Sequence, residues 1–256
     1  MPLRSDSGVP RPHELSGPTT AVDTAPARSE GPLPAAVFWD MDGTLVDTEP
    51  LWNESQRALV EQDGGTWTTQ LAHSLVGQAL DHGARLLQDA GVTLGVGEII
   101  ELTMTDVARA VRRSVPWRPG AREMLAALRQ DEVPCALVTM SHAPLATVFA
   151  ESLPAGTLEF LVTGDMVLHG KPDPEPYTTA LDVMARRHVG LDSAACVAVE
   201  DSLPGLRSAA GAGLATVAIP HVMPLPADPR WEEWVTLAGR TPRHLGLVAA
   251  RRSAAT

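Results

Sequence analysis

From residue 121 onward, short apolar runs alternate with stretches of helical spacing, and few folds accommodate such a chain. The pattern predicts helices over 121–129, 143–151, 174–187 and 203–212. It predicts strands between them over 133–140, 158–162, 194–199 and 214–219. Strands that alternate with helices build βαβ units, so the expected class is α/β with a parallel sheet. After Pro220 the pattern thins: 220–229 reads as loop, 234–237 as an edge strand, 241–248 as a short helix and 251–256 as a frayed end.

One further strand precedes this series. Ala35-Ala36-Val37-Phe38-Trp39 is apolar and stops at Asp40, followed by Met41, Asp42 and Gly43. A short apolar run ending in turn chemistry suits a buried strand of a parallel sheet. Ligands of such sheets bind beyond the carboxyl ends of the strands, so Asp40 and Asp42 are expected at the lip of a site. Two carboxylates there are costly to bury unless paired or bound to a metal. Hard oxygen ligands point to Mg2+, with one Asp40 oxygen left as a nucleophile and Asp42 placed to move a proton. The competing account is a plain β-turn capped by Asp and Gly. A calcium loop fails, because Thr44 and Leu51 occupy the fifth and twelfth positions where ligands are needed.

Residues 51–115 contain no convincing strand. Helical spacing runs over 50–60, 71–75, 80–90 and 98–114, and the breakers of Val115–Gly120 close the block. It reads as an all-helical insert after the first strand. Residues 1–34 are rich in Pro, Ser, Thr and Gly, have no apolar periodicity, and read as a disordered extension without the apolar core of a signal peptide.

Two more strand ends and one loop carry chemistry. Thr139, in Leu137-Val138-Thr139-Met140-Ser141, can donate to a phosphoryl oxygen, whereas Ser141 suits the cap of the next helix. Lys171 lies between Gly170 and Pro172, in a constrained loop where its ammonium can offset negative charge. A phosphate-binding Walker loop is excluded by the spacing from Gly164 and by Pro172 in place of a hydroxyl residue. Ala198-Val199-Glu200-Asp201 again ends in acids; Asp201 is the preferred metal ligand, with Glu200 ligating directly or through water. An acidic helix N-terminus is the alternative.

The formal net charge of −11 argues against nucleic acid as a partner and would repel phosphorylated ligands at long range, so a phosphate site here needs a local cation. The two cysteines sit in apolar runs and imply a reducing compartment. The scattered histidines offer no zinc motif. No membrane association is expected, the location is expected to be cytoplasmic, and the chain is expected to be a monomer or weak homodimer.

Asp40-Met41-Asp42-Gly43-Thr44-Leu45-Val46-Asp47-Thr48-Glu49-Pro50, Thr139, Lys171-Pro172-Asp173-Pro174 and Val199-Glu200-Asp201-Ser202-Leu203-Pro204-Gly205 together resemble, in order, the four motifs of the haloacid dehalogenase-like (HAD) superfamily. The spelling is that of its subfamily I phosphatase and β-phosphoglucomutase-like branch. The resemblance implies a Rossmann-like core over 35–49 and 117–250, with a helical cap over 50–116. It implies an Mg2+-dependent phosphohydrolase of small sugar, polyol or glycolate-type phosphates, working through an aspartyl-phosphate. Asp40 would be the nucleophile and Asp42 the acid–base, with Thr139 and Lys171 assisting. Asp40, the Asp42 carbonyl, Asp201 and Glu200 would hold the metal. Thr139, Met140, Ser141, Lys171, Trp52 and Gln78 would meet substrate, with Glu49, His82 and Arg85 as further candidates. A dehalogenase would not need Asp42. A mutase of this branch would carry histidine at Trp52 and arginine at Leu80, so the resemblance favours hydrolysis. A non-catalytic binding module is the remaining alternative.

Overall fold

A computed structural model describes residues 31–76 and 79–254. The expected extension over 1–30 and the candidate Gln78 lie outside the described residues. Six parallel strands form one sheet in the order β3-β2-β1-β4-β5-β6: β1 Ala36–Trp39, β2 Cys135–Val138, β3 Phe160–Val162, β4 Cys196–Glu200, β5 Ala215–Ala218 and β6 Trp231–Glu233. The order reverses between β1 and β4, the place where open α/β sheets bind ligands. Asp40 and Asp42 follow β1, Glu200 ends β4 and Asp201 follows it, so the acids of both motifs meet at that crevice.

The central strands are apolar on both faces because helices cover both. Val37 and Trp39 of β1 pack in one cluster with α5 (Ala121–Gln130), α6 (Ala143–Glu151) and α9 (Pro242–Ser253). Ala36 and Phe38 pack in the other with α7 (Glu175–Arg187). Each large apolar side chain so buried contributes roughly 1.5–3 kcal/mol. The helix α8 (Leu203–Gly211) follows β4, its N-terminus capped by the Ser202 hydroxyl, which accepts from the Gly205 N–H at 3.2 Å.

The insert is helical as expected: α1 Glu49–Gln62, α2 Thr69–Leu75, α3 Leu80–Asp89 and α4 Val96–Arg113. Ile99, Ile100 and Met104 of α4 share a cap core with Val60, Leu75 and Leu87. Farther along the same helix, Val107 and Val111 belong to the core of the sheet domain. One helix therefore seats the cap on the sheet. The two crossings into the cap also pair: Val46 bridges Trp117, the Asp47 N–H donates to the Pro116 carbonyl at 2.8 Å, and the Arg118 N–H to Leu45 at 2.9 Å.

Three expectations change. The last helix, expected to end at 248 with a frayed 251–256, continues to Ser253. The edge strand lies at Trp231–Glu233 rather than 234–237. Trp234 and Leu237 are both buried while Val235 is exposed, and inward residues three apart do not keep the two-residue period of a strand. Residues 31–34 join the fold instead of the extension: Leu33 packs on the main core and Arg243 donates to the Gly31 carbonyl.

Candidate active site

Asp40 stands directly beyond β1, its N–H bonded to the Val199 carbonyl of β4 at 3.1 Å. One carboxylate oxygen accepts from the Lys171 ammonium at 2.7 Å. The other, Oδ2, is buried with no hydrogen-bond partner among the described residues. An unpaired buried carboxylate oxygen is costly, so this atom is the feature of the site most in need of a ligand.

Lys171 reaches the site from the loop before α7 and is almost wholly enclosed. Its Nζ also donates to the Val138 carbonyl at 2.8 Å and pairs with Glu200 Oε1 at 2.6 Å. Burial alone would depress its pKa, but Asp40 and Glu200 outweigh burial and hold it above the ordinary value. Glu200 is fully buried, and Oε1 also accepts from the Tyr177 hydroxyl at 2.7 Å. The carboxylate expected as a metal ligand thus anchors the lysine as well.

Asp42 faces hydroxyls. Thr48 and Ser141 donate to it at 2.5 Å and 2.7 Å, Thr139 lies at 3.4 Å, and the Trp52 side chain adds a hydrogen bond. Burial nevertheless raises its pKa, with the Asp40 charge adding to the effect against those donors. Ser141 is therefore at the site and not the helix cap the sequence suggested. The cap position of α6 is His142, and Asp165 accepts from the Ala143 N–H at 3.0 Å. Met140 packs under the lysine loop, its sulfur 3.3 Å from the Lys171 N–H. Trp52 packs between the sheet core and the cap core. Glu49 is held by Asn53 at 3.1 Å, while His82 and Arg85 are exposed on α3.

Asp40, Glu200 and Asp201 place one carboxylate oxygen each within 4.8 Å of one another. Burial first, then Asp40 and Glu200, push the Asp201 carboxyl well above its usual range. The approach depends on Gly43, which has φ +84°; a Cβ there would lie 2.0 Å from Asp201 Oδ2. Crowded oxygen donors, one lacking any partner, fit a hard divalent cation such as Mg2+.

Sequence reasoning missed Thr48 and Tyr177 as members of the site. Thr48 is a short loop residue on the acid-bearing turn. Tyr177 is the only tyrosine of the chain, but its helical spacing reads as core.

Comparison with known proteins identifies the family of the chain. A family model described as haloacid dehalogenase-like hydrolase matches residues 34–213. The "Phosphorylated carbohydrates phosphatase" of Thermotoga maritima is 32% identical over 184 residues, covering 70% of this chain and 82% of the relative. "Hexitol phosphatase A" of Escherichia coli is 29% identical over 194 residues, covering 71% and 81%. The crystal structure of CbbY from Rhodobacter sphaeroides in complex with phosphate shares the fold, with TM-score 0.69, 23% identity and coverage of 82% and 97%. The chain belongs to the haloacid dehalogenase-like hydrolases.

Proposed function

We propose that this hydrolase is a divalent-metal-dependent phosphatase of small sugar or polyol phosphomonoesters, working through a phosphoryl group carried on Asp40. The observation that carries the reading is Asp40 itself: one oxygen is fixed by Lys171, the other is buried and unpartnered, and Asp42 lies nearby. The named phosphatases among the relatives support the reaction class.

An Asp40 oxygen attacks phosphorus while the bond to the leaving oxygen breaks. Asp42, whose carboxyl burial keeps prone to hold a proton, gives that proton to the leaving oxygen. Once ionised, it takes a proton from the water that attacks the acyl phosphate, which regenerates Asp40. Lys171 opposes the charge gathered on the phosphoryl group and on Asp40. Thr139 and Ser141 present hydroxyls on the same side. A Mg2+ held by Asp40, Asp201 and the Asp42 carbonyl, with Glu200 direct or through water, would neutralise phosphoryl oxygen charge. The cap, seated by α4, excludes bulk water.

Phosphate release from a panel of phosphomonoesters, with and without Mg2+, tests this. Turnover should require the metal and vanish in Asp40→Asn. Turnover retained by that variant would remove the proposed nucleophile.

A further inference from the structure

Asp42 takes two of its donors from the start of α1. Thr48 stands at the N-cap of that helix, where a threonine hydroxyl ordinarily bonds the helix itself. Here it makes no such bond and donates to Asp42 at 2.5 Å. The Trp52 side chain adds a further donor, and the backbone N–H groups of Leu51 and Trp52 both return to the Thr48 carbonyl. The acid–base is therefore placed by the first turn of α1, and that turn must itself be fixed to the sheet domain.

We infer that His221 is the positioning residue that fixes it. Its imidazole ties both crossings into the cap to the loop after β5, and so keeps Thr48 and Trp52 on Asp42. This rests on the phosphatase reading for the role of Asp42.

The contacts form a continuous chain. The loop leaves β5 with the Ile219 N–H on the Glu200 carbonyl at 2.7 Å, so it starts from the strand end that bears the acids. Two residues later, His221 Nε2 lies 2.9 Å from the Asp47 carboxylate, on the outgoing crossing directly before Thr48. Nδ1 meets the guanidinium of Arg118, on the return crossing. Arg118 also donates to the Pro220 carbonyl at 3.2 Å.

The chemistry of the partners fixes the state of the ring. A guanidinium only donates and keeps its charge, so Nδ1 accepts. The single proton of the neutral imidazole then sits on Nε2, where the Asp47 carboxylate takes it. One tautomer satisfies both sides, and a group that only donates or only accepts would fail one of them. Arg57 and Glu49 of α1 line the same cavity but are engaged elsewhere, with Glu61 at 3.1 Å and Asn53 at 3.1 Å. The His221 side chain is 17% exposed and that of Asp47 38%, so water can solvate the partners once the ring is removed. Water does not hold the crossing in register.

The test uses leaving groups. A nitrophenolate departs without a proton, whereas an alkoxide needs one from Asp42, and kcat/KM contains the steps up to that departure. His221→Leu removes both bonds and should lower kcat/KM about tenfold or more for glycerol phosphate, but only about twofold for p-nitrophenyl phosphate. His221→Gln keeps one acceptor and one donor at similar reach and should restore most of the loss. Asp47→Ala cuts the chain from the other side and should show the same selective loss, and the double variant should lose no more than His221→Leu alone. Hydrogen exchange of the amides at 47–52 should quicken in His221→Leu and recover in His221→Gln. Equal losses on the two esters, no loss, no recovery in His221→Gln, or unchanged exchange would overturn the inference. Wild-type enzyme that hydrolyses neither ester, with exchange that quickens in His221→Leu and recovers in His221→Gln, would support the clamp and refute the phosphatase reading instead.

Discussion

Lys171→Met would leave Asp40 and Glu200 facing each other without the ammonium that now lies 2.7 Å and 2.6 Å from them. The Lys171 side chain is 4% exposed and that of Glu200 0%, so water cannot take its place. Methionine keeps an unbranched stem of similar reach, so packing changes little and charge is what is lost. Removing one partner of a buried ion pair costs about 3–5 kcal/mol. A domain of this size loses roughly 2–4 °C of Tm per kcal/mol, so the metal-free variant should melt roughly 6–20 °C below wild type at mildly alkaline pH.

The pH dependence carries the sharper test. Burial, then Asp40, raise the Glu200 carboxyl to about 7, against the opposing Lys171. Without Lys171 it rises further. A carboxyl raised by folding binds its proton more tightly in the folded chain. It therefore favours the folded state below its ordinary value, and that advantage is lost as pH rises through the raised one. The melting deficit of Lys171→Met should be small near the ordinary glutamate value of 4.5 and grow to full size above about 7. The double variant Lys171→Met with Glu200→Gln should recover part of the loss. Thermal melts in chelator across this pH range measure it. No deficit, or one independent of pH, would refute the burial of an otherwise uncompensated charge.

Three other outcomes follow from the same contacts. Tyr177→Phe removes the 2.7 Å donor to Glu200, and both residues are fully buried, so stability should fall by about 1–3 kcal/mol as a lower denaturant midpoint at constant slope; an unchanged midpoint would contradict it. Gly205→Ala should gain about 1 kcal/mol from helix propensity, yet its Cβ would lie 2.0 Å from the Glu200 carboxyl; the clash wins, and a raised Tm would show that the carboxyl moves freely. Ser141→Ala withdraws a donor to ionised Asp42, so the apparent pKa of the pH–rate limb that reports Asp42 should move upward; a fixed or lowered limb would separate Ser141 from the acid–base.

How much of this was visible in the sequence depends on the range of each contact. Apolar runs ending at Asp40 and Glu200 announce parallel strands and a site at their ends, because both the strand and its polar stop are local. The helical cap is legible for the same reason. The Lys171–Glu200 pair joins residues distant in the chain and is fixed by the sheet order, which spacing does not state. Ser141 follows a strand and precedes a helix, so one residue suits both a cap and a site; only the position of Asp42 decides. Trp231 and Trp234 are both inward, and a three-residue strand leaves too few positions to reveal its period. The Asp47–His221–Arg118 contact needs the cap crossings and the loop after β5 brought together, and no stretch of sequence holds all three.

The central claim is that Asp40 carries the phosphoryl group. Rapid acid quench of the enzyme during turnover, followed by borohydride reduction, converts an acyl-phosphorylated aspartate to homoserine, and peptide mass spectrometry locates it. Conversion at position 40, dependent on substrate and absent from Asp40→Asn, is the predicted result. Sustained turnover with no conversion at Asp40, or with conversion at another residue, would contradict it.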